Sequence, residues 1–248
     1  MLRRAASTLL LLGLVVGAAA LIAQGNGTGA APADQRAAAL ALTTRAPGAR
    51  LPSGGRCARR VDRHGVEAWP ANRAENRARG RRLVIPRSAW RHFPDWRRLA
   101  RRVRGDFTGT TDEILQWASC KWGFGIDLTR AQAYAESRWQ QDFRGDGGRS
   151  VGVMQVKSGA RGTPHRYTWP FSRRSTAYNV DYALAWRRAC YDGLFAHGGW
   201  LPRRSRGDLW GCVGLWFSGR WHEGDTRYLS EVRRHLREQP WRSWTASG

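Results

Sequence analysis

Apolar residues settle into a helical rhythm after residue 110. Leu128, Ala131, Ala135 and Trp139 recur at intervals of three, four and four, which places them on one face of an α-helix and predicts that this face is buried. Just upstream, Thr110-Thr111-Asp112-Glu113 has the spacing of a capping box, with Thr110 as N-cap and Glu113 at N3. A helix therefore opens there and runs towards Trp122, where Gly123-Phe124-Gly125 stops it. Asp127, a good N-cap, is expected to start the next helix, and a further helical stretch covers 176–190. Between 81 and 104, Pro86 and Pro94 break amphipathic segments in which Trp90 and Trp96 stand among arginines. Arginine stems lying over indole rings at a solvated face explain that mixture better than base stacking does. The pattern is mostly α.

The N-terminal part lacks this rhythm. Arg3 and Arg4 precede an apolar run from Ala5 to Ala23, and Ala18 and Ala20 offer a small-residue cleavage site. This is the pattern of an export signal. Its strongly apolar part is shorter than the roughly 20 residues a spanning helix needs; an uncleaved anchor, which would tether the protein to the membrane, is the alternative. Residues 24–55 are rich in Ala, Gly, Pro, Thr and Ser and read as a flexible linker. The expected organisation is a signal peptide over 1–23, the linker over 24–55, a basic helical segment over 56–105 and one helical domain over 106–248.

Composition adds compartment and surroundings. The chain has 248 residues with a formal net charge of +23, and Lys121 and Lys157 are its only lysines. Such a charge points to anionic surroundings. It is uneven: residues 56–104 hold 16 arginines against four acids, and this block is expected to hold anionic cell-wall polymer. Nucleic acid is opposed by the export signal. The four cysteines, Cys57, Cys120, Cys190 and Cys212, show neither C-x-x-C nor zinc-site spacing, so in an exported chain they read as two disulfides with three possible pairings.

The chemistry centres on Glu136. It follows Ala135 on the helix carrying the buried face, near the C-terminal end, so burial beside aromatic rings and the negative end of the helix dipole both disfavour its charged form. A carboxyl kept protonated in this way is a general acid, as the lysozyme glutamate in a hydrophobic pocket illustrates. An exposed glutamate paired with Arg138 or Gln132 is the plainer alternative.

Glu136-Ser137, followed sixteen residues on from Glu136 by Gly152-Val153-Met154-Gln155, resembles the soluble lytic transglycosylase family, whose pattern is Glu-Ser and then Gly-Leu-Met-Gln. Tyr178-Asn179-Val180 is similar to that family's Asn-containing helix, and Tyr228-Leu229-Ser230-Glu231-Val232 to its late Tyr-x-x-x-Val element. The resemblance spans roughly 108–236. It implies a lysozyme-like, mostly helical fold and cleavage of peptidoglycan between N-acetylmuramic acid and N-acetylglucosamine, with Glu136 catalytic and 1,6-anhydro ends as product. It also implies substrate-side roles for Ser137, Ser150, Met154, Gln155, Asn179, Trp216 and Tyr228, with packing the stronger expectation for Met154. Where the family has Ala-Tyr-Asn-Ala-Gly, this chain has Leu215-Trp216-Phe217-Ser218-Gly219, so the groove is expected to differ.

Other readings stay in view. Attack by water instead of the C6 hydroxyl makes the same fold a lysozyme-type hydrolase, and a chain that holds the wall without turnover is the non-enzymatic rival. No cofactor and no metal are expected: there is no phosphate loop and no His-Glu-x-x-His, and the six histidines are scattered. Asp142–Gly147 has only part of an EF-hand pattern, with Arg144 at the third position.

Overall fold

The computed structural model describes residues 43–63, 67–88, 95–157, 164–197 and 199–245. The expected signal peptide over 1–23, residues 24–42 of the expected linker, and Trp90 and Pro94 lie outside them. The described chain is mostly helical. Its helices are α1 (Gly54–Ala58), α2 (Arg73–Arg77), α3 (Arg97–Ala100), α4 (Thr111–Trp122), α5 (Ile126–Ser137), α6 (Phe171–Arg174), α7 (Thr176–Tyr191), α8 (Leu194–His197), α9 (Leu209–Ser218), α10 (Thr226–Glu238) and α11 (Arg242–Thr245). Three two-residue strands, β1 (Arg144–Gly145), β2 (Ser150–Val151) and β3 (Val156–Lys157), form one antiparallel sheet in the order β1-β2-β3, with Gly145 opposite Ser150 and Ser150 opposite Lys157.

The capping box forms as the residues predict: the Glu113 amide donates to Thr110 Oγ1 and the Thr110 amide to Glu113 Oε2. Gly123 ends α4 in the left-handed region at φ 72°, a conformation that favours glycine. The next helix starts two residues earlier than expected. Gly125 is its N-cap, and Asp127 sits inside the first turn, where its carboxylate meets Arg130 at 3.2 Å and favours the helix dipole. Trp139 is buried as the periodicity requires, but it lies past the helix end, after Arg138 turns left-handed at φ 53°.

Helix α7 is buried along its whole length, with α4, α9, α6 and α8 packed on it, while α10 packs on α5. A helix buried on all sides must settle its charges internally. Asp181 accepts from Lys121 Nζ at 2.7 Å, Trp122 Nε1 at 2.7 Å, and the amides of Arg104 and Gly105 at 2.8 and 3.0 Å. Arg188 pairs with Asp192 at 2.7 Å and donates to the carbonyls of Arg45 and Ala46.

Those last contacts correct the expected linker. Residues 43–55 are docked on the domain: the Arg45 amide donates to the Gly123 carbonyl, the Gly48 amide to Asp192, and a Cβ on Gly123 would press on Arg45 and Leu51 at 3.0 Å. Backbone polar groups of Arg45, Ala46 and Gly48 thus find fixed partners on α4 and α7, which a free spacer lacks. The basic segment over 56–105 is likewise no separate helical piece. Its helices are four or five residues long, and Leu83, Ile85, Trp96, Leu99, Ala100 and Val103 are buried in the same core as α4 and α7. Two disulfides join Cys57 to Cys120 and Cys190 to Cys212, choosing one of the three pairings. Among the described residues no helix is long and apolar enough to cross a membrane.

Candidate active site

Glu136 stands in the last turn of α5, half-buried, at the wall of a cleft of about 530 Å³. The cleft lies between α5, the small sheet and the α9–α10 pair. Burial pushes the Glu136 carboxyl up to about 8; a hydrogen bond from Tyr228 works against this shift, and the charges of Asp146 and Glu231 add to it. The cause named from sequence, desolvation beside aromatic rings, is the dominant one.

Tyr228, on α10, donates its hydroxyl to Glu136 Oε1 at 2.5 Å. The same hydroxyl oxygen accepts from Gln132 Nε2 at 3.0 Å, and Gln132 Oε1 accepts from the buried guanidinium of Arg187, which also donates to Thr129 Oγ1 at 3.1 Å. An arginine can only donate, so it fixes the direction of every bond in this chain: the Gln132 amide turns its oxygen to Arg187 and its nitrogen to Tyr228, and the tyrosine proton goes to Glu136. Oε1 is thereby occupied as an acceptor. The proton of the neutral carboxyl is left on Oε2.

The resemblance-derived residues separate into two groups. Ser137, Met154 and Asn179 are buried and are not among the residues that line the cleft, which for Met154 agrees with the packing expected of it. They build the turn that follows β2. Ser137 Oγ donates to the Val153 carbonyl at 2.9 Å; Asn179 accepts from the Met154 amide at 2.8 Å and donates to the Val151 and Ser172 carbonyls at 2.8 Å. Gln141 accepts from the Val153 amide at 3.1 Å. Gly152 sits at φ 81°, and a Cβ there would lie 2.4 Å from Asn179 Nδ2. The turn therefore needs glycine both for its conformation and for the close approach of Asn179. Ser150, Gln155, Trp216 and Tyr228 do line the cleft, though Trp216 Nε1 is committed to the Met154 carbonyl at 2.9 Å.

The sheet adds a second carboxylate. Asp146, on the β1–β2 turn, lines the same cleft, with its Oδ2 held by Ser150 Oγ at 2.8 Å and Lys157 Nζ at 3.0 Å. These two contacts hold its carboxyl below the usual range. The stretch 142–151, with its three glycines, folds as two short paired strands and the turn between them. The cleft places a protonated acid and an ionised carboxylate on opposing elements, the arrangement by which one site runs acid and base chemistry.

Sequence reasoning missed Arg187 and the roles of Gln132 and Lys157. It missed Phe217 as a cleft wall: this ring is 56% exposed and stacks on Tyr228 with centroids 4.6 Å apart and planes 7° apart. Phe143, 43% exposed, faces the cleft from the sheet side. One signal was available, a polar stripe Thr129, Gln132, Glu136 at spacings of three and four on an otherwise apolar helix. Among the described residues no group of three or more His, Cys, Asp or Glu is arranged to hold a metal ion. No family model, no curated protein and no solved structure matches this chain.

Proposed function

We propose that this chain is an exported enzyme that cleaves the β-1,4 bond between N-acetylmuramic acid and N-acetylglucosamine in peptidoglycan. The observation that carries the reading is Glu136: a half-buried carboxyl on a cleft wall, raised to about 8, with one oxygen occupied by Tyr228 and the other free to donate. Two cysteine pairs at bonding distance fit an oxidising compartment. The lytic transglycosylase motifs agree with the same chemistry. Glu136 protonates the glycosidic oxygen, the neighbouring N-acetyl group stabilises the cationic centre, and the Glu136 carboxylate then accepts the proton of the C6 hydroxyl as that oxygen bonds to C1. Exposed aromatic rings at the cleft, Phe143 and Phe217, offer faces for sugar rings.

A second outcome is favoured by one observation, the ionised Asp146 in the same cleft. Two carboxyl groups of opposite protonation are what hydrolysis uses, one as acid and one to assist water or stabilise the cation. Mass analysis of fragments released from purified peptidoglycan separates the two: anhydro ends are one water lighter than reducing ends. Wild type releases fragments and Glu136→Gln, folded equally well, does not. Equal release by both would remove Glu136 from the chemistry.

A further inference from the structure

Away from the cleft, and sharing no residue with it, a groove of about 900 Å³ runs between the docked segment 45–56 and residues 101–106. Arg45, Arg50, Arg56, Arg60, Arg101 and Arg104 line it with exposed side chains. No described carboxylate forms an ion pair with any of the six. Elsewhere arginines of this chain find acids: Arg130 meets Asp112 at 2.7 Å, Arg188 meets Asp192 at 2.7 Å, and Arg234 meets Glu238 at 3.2 Å. Among the described residues Asp106 is the single acid lining the groove, and Lys121, also at its wall, is already neutralised by Asp181.

The groove is built rather than incidental. The Cys57–Cys120 disulfide pins α1 to α4, Trp117 Nε1 donates to the Gly54 carbonyl at 3.1 Å, and Arg102 donates to the Pro52 carbonyl at 2.6 Å. Arg102 itself is held below its ordinary value by burial and by the charges of Arg188 and Arg98, against the pull of Asp181. Cations lining one cavity repel one another, and a polyanion relieves that repulsion.

The lining also says which polyanion. Guanidinium forks match phosphate oxygens in pairs, and several around one groove match a row of phosphates better than a single ion. The apolar part of the wall is Leu51 and Pro52, with no aromatic ring among the lining residues. Single-stranded nucleic acid is held chiefly through bases stacked on aromatic rings, and no described residue lining this groove is aromatic, so a base would find only guanidinium planes to stack on. We propose that the groove between segments 45–56 and 101–106 binds a base-free chain of linked phosphates, the chemistry of an anionic wall polymer. This relocates the basic block read from the sequence: most arginines of 56–104 lie outside the groove, and Arg45 and Arg50 come from the segment read as a linker. Binding here is independent of cleavage at Glu136.

The test is calorimetric titration of the full chain with a linear inorganic polyphosphate at two salt concentrations. Wild type binds, and the triple variant Arg50→Ser/Arg56→Ser/Arg104→Ser binds at least tenfold more weakly, with the slope of log affinity against log salt reduced by about three. The equally charged control Arg79→Ser/Arg82→Ser/Arg87→Ser, whose positions are exposed and off the groove, stays within twofold of wild type. Unchanged melting temperatures establish that both triples fold. The proposal is overturned if wild type does not bind, if the two triples weaken equally, if single-stranded DNA of equal charge binds as tightly, or if orthophosphate at the same phosphorus concentration displaces the polymer.

Discussion

The Tyr228 hydroxyl lies 2.5 Å from Glu136 Oε1, and it is the last donor in a row that starts at the buried Arg187. Each donor in that row is oriented by the one behind it. The carboxyl that would act on substrate is therefore held by a network reaching from α7 through α5 to α10, and its free oxygen is defined by what occupies the other. Removing single members gives distinguishable outcomes.

Tyr228→Phe deletes the bond that opposes the rise of the Glu136 pKa, so that pKa climbs further above its value of about 8. The descending limb of kcat/KM against pH moves to higher pH, while kcat at pH 6 falls about tenfold because the acid is no longer oriented. A pH profile of fragment release reads both. A limb that stays in place would show that the tyrosine does not bear on the ionisation.

Glu136→Gln separates chemistry from stability. A carboxyl raised from 4.5 to about 8 on folding keeps its proton in the native state where the unfolded chain has lost it. Its contribution to stability is complete below pH 4.5, declines as pH rises, and is gone above about pH 8. Glutamine does not ionise. The variant therefore melts with wild type at pH 4 and is more stable than wild type at pH 8 by on the order of a few kcal/mol, so that it melts at higher temperature there, while fragment release is lost. Thermal melts across that range check the sign: a variant less stable at pH 8 would mean that the charged carboxylate is welcome in the fold.

Arg187→Lys keeps a cation but loses the fork that reaches Gln132 and Thr129 together. One of these buried acceptors is left unpaired, which costs about 1–3 kcal/mol, and the Gln132 amide is free to turn. The expected kinetic mark is a roughly tenfold lower kcat with KM unchanged, since Arg187, Gln132 and Thr129 orient the acid from behind and do not line the cleft. A rise in KM alone would place Arg187 in binding.

How much of this was legible in the sequence follows from the range of each interaction. Local signals were read correctly: Thr110 and Glu113 cap α4 three residues apart, Gly123 ends it, and Glu136 is half-buried near the end of a helix that buries Leu128 and Ala131. Signals that depend on distant partners were not. Asn179 is a polar residue in a helix buried all round, and nothing near it in the chain reveals that its amide is consumed by the turn 151–154. The segment 43–55 has a linker's composition, yet its backbone is claimed by Gly123, Arg188 and Asp192. Net charge was legible as a sum, whereas the convergence on one groove of six arginines that no described carboxylate pairs with depends on two segments about fifty residues apart.

The Cys57–Cys120 disulfide closes 63 residues and fastens the wall of that groove to α4. Replacing both cysteines with serine lowers stability by about 2–4 kcal/mol. Chemical denaturation measures the loss, and polyphosphate affinity falls with it if the groove depends on that anchor. Glu136 lies near the C-terminal end of α5 and neither cysteine lines its cleft, so fragment release at a temperature where the variant is folded stays near that of wild type.

Asp146→Asn tests the division of labour in the cleft. Asp146 is ionised because Ser150 donates to it and Lys157 pairs with it, and its negative charge is one of the causes that raise the Glu136 pKa. Removing that charge, and leaving Lys157 without its partner, lowers the Glu136 pKa. The descending limb of the pH profile therefore moves to lower pH, opposite to the shift expected of Tyr228→Phe. The size of the rate change at pH 5, where Glu136 is protonated in both proteins, then separates the two product routes. If water is the attacking group and Asp146 assists it, release of reducing ends falls by about 10²–10⁴. If the C6 hydroxyl attacks, the carboxylate stands outside the bond-making step and anhydro ends continue to form at a similar rate. A variant with an unmoved limb would show that Asp146, although it lines the cleft, is too well screened by Lys157 to act on Glu136.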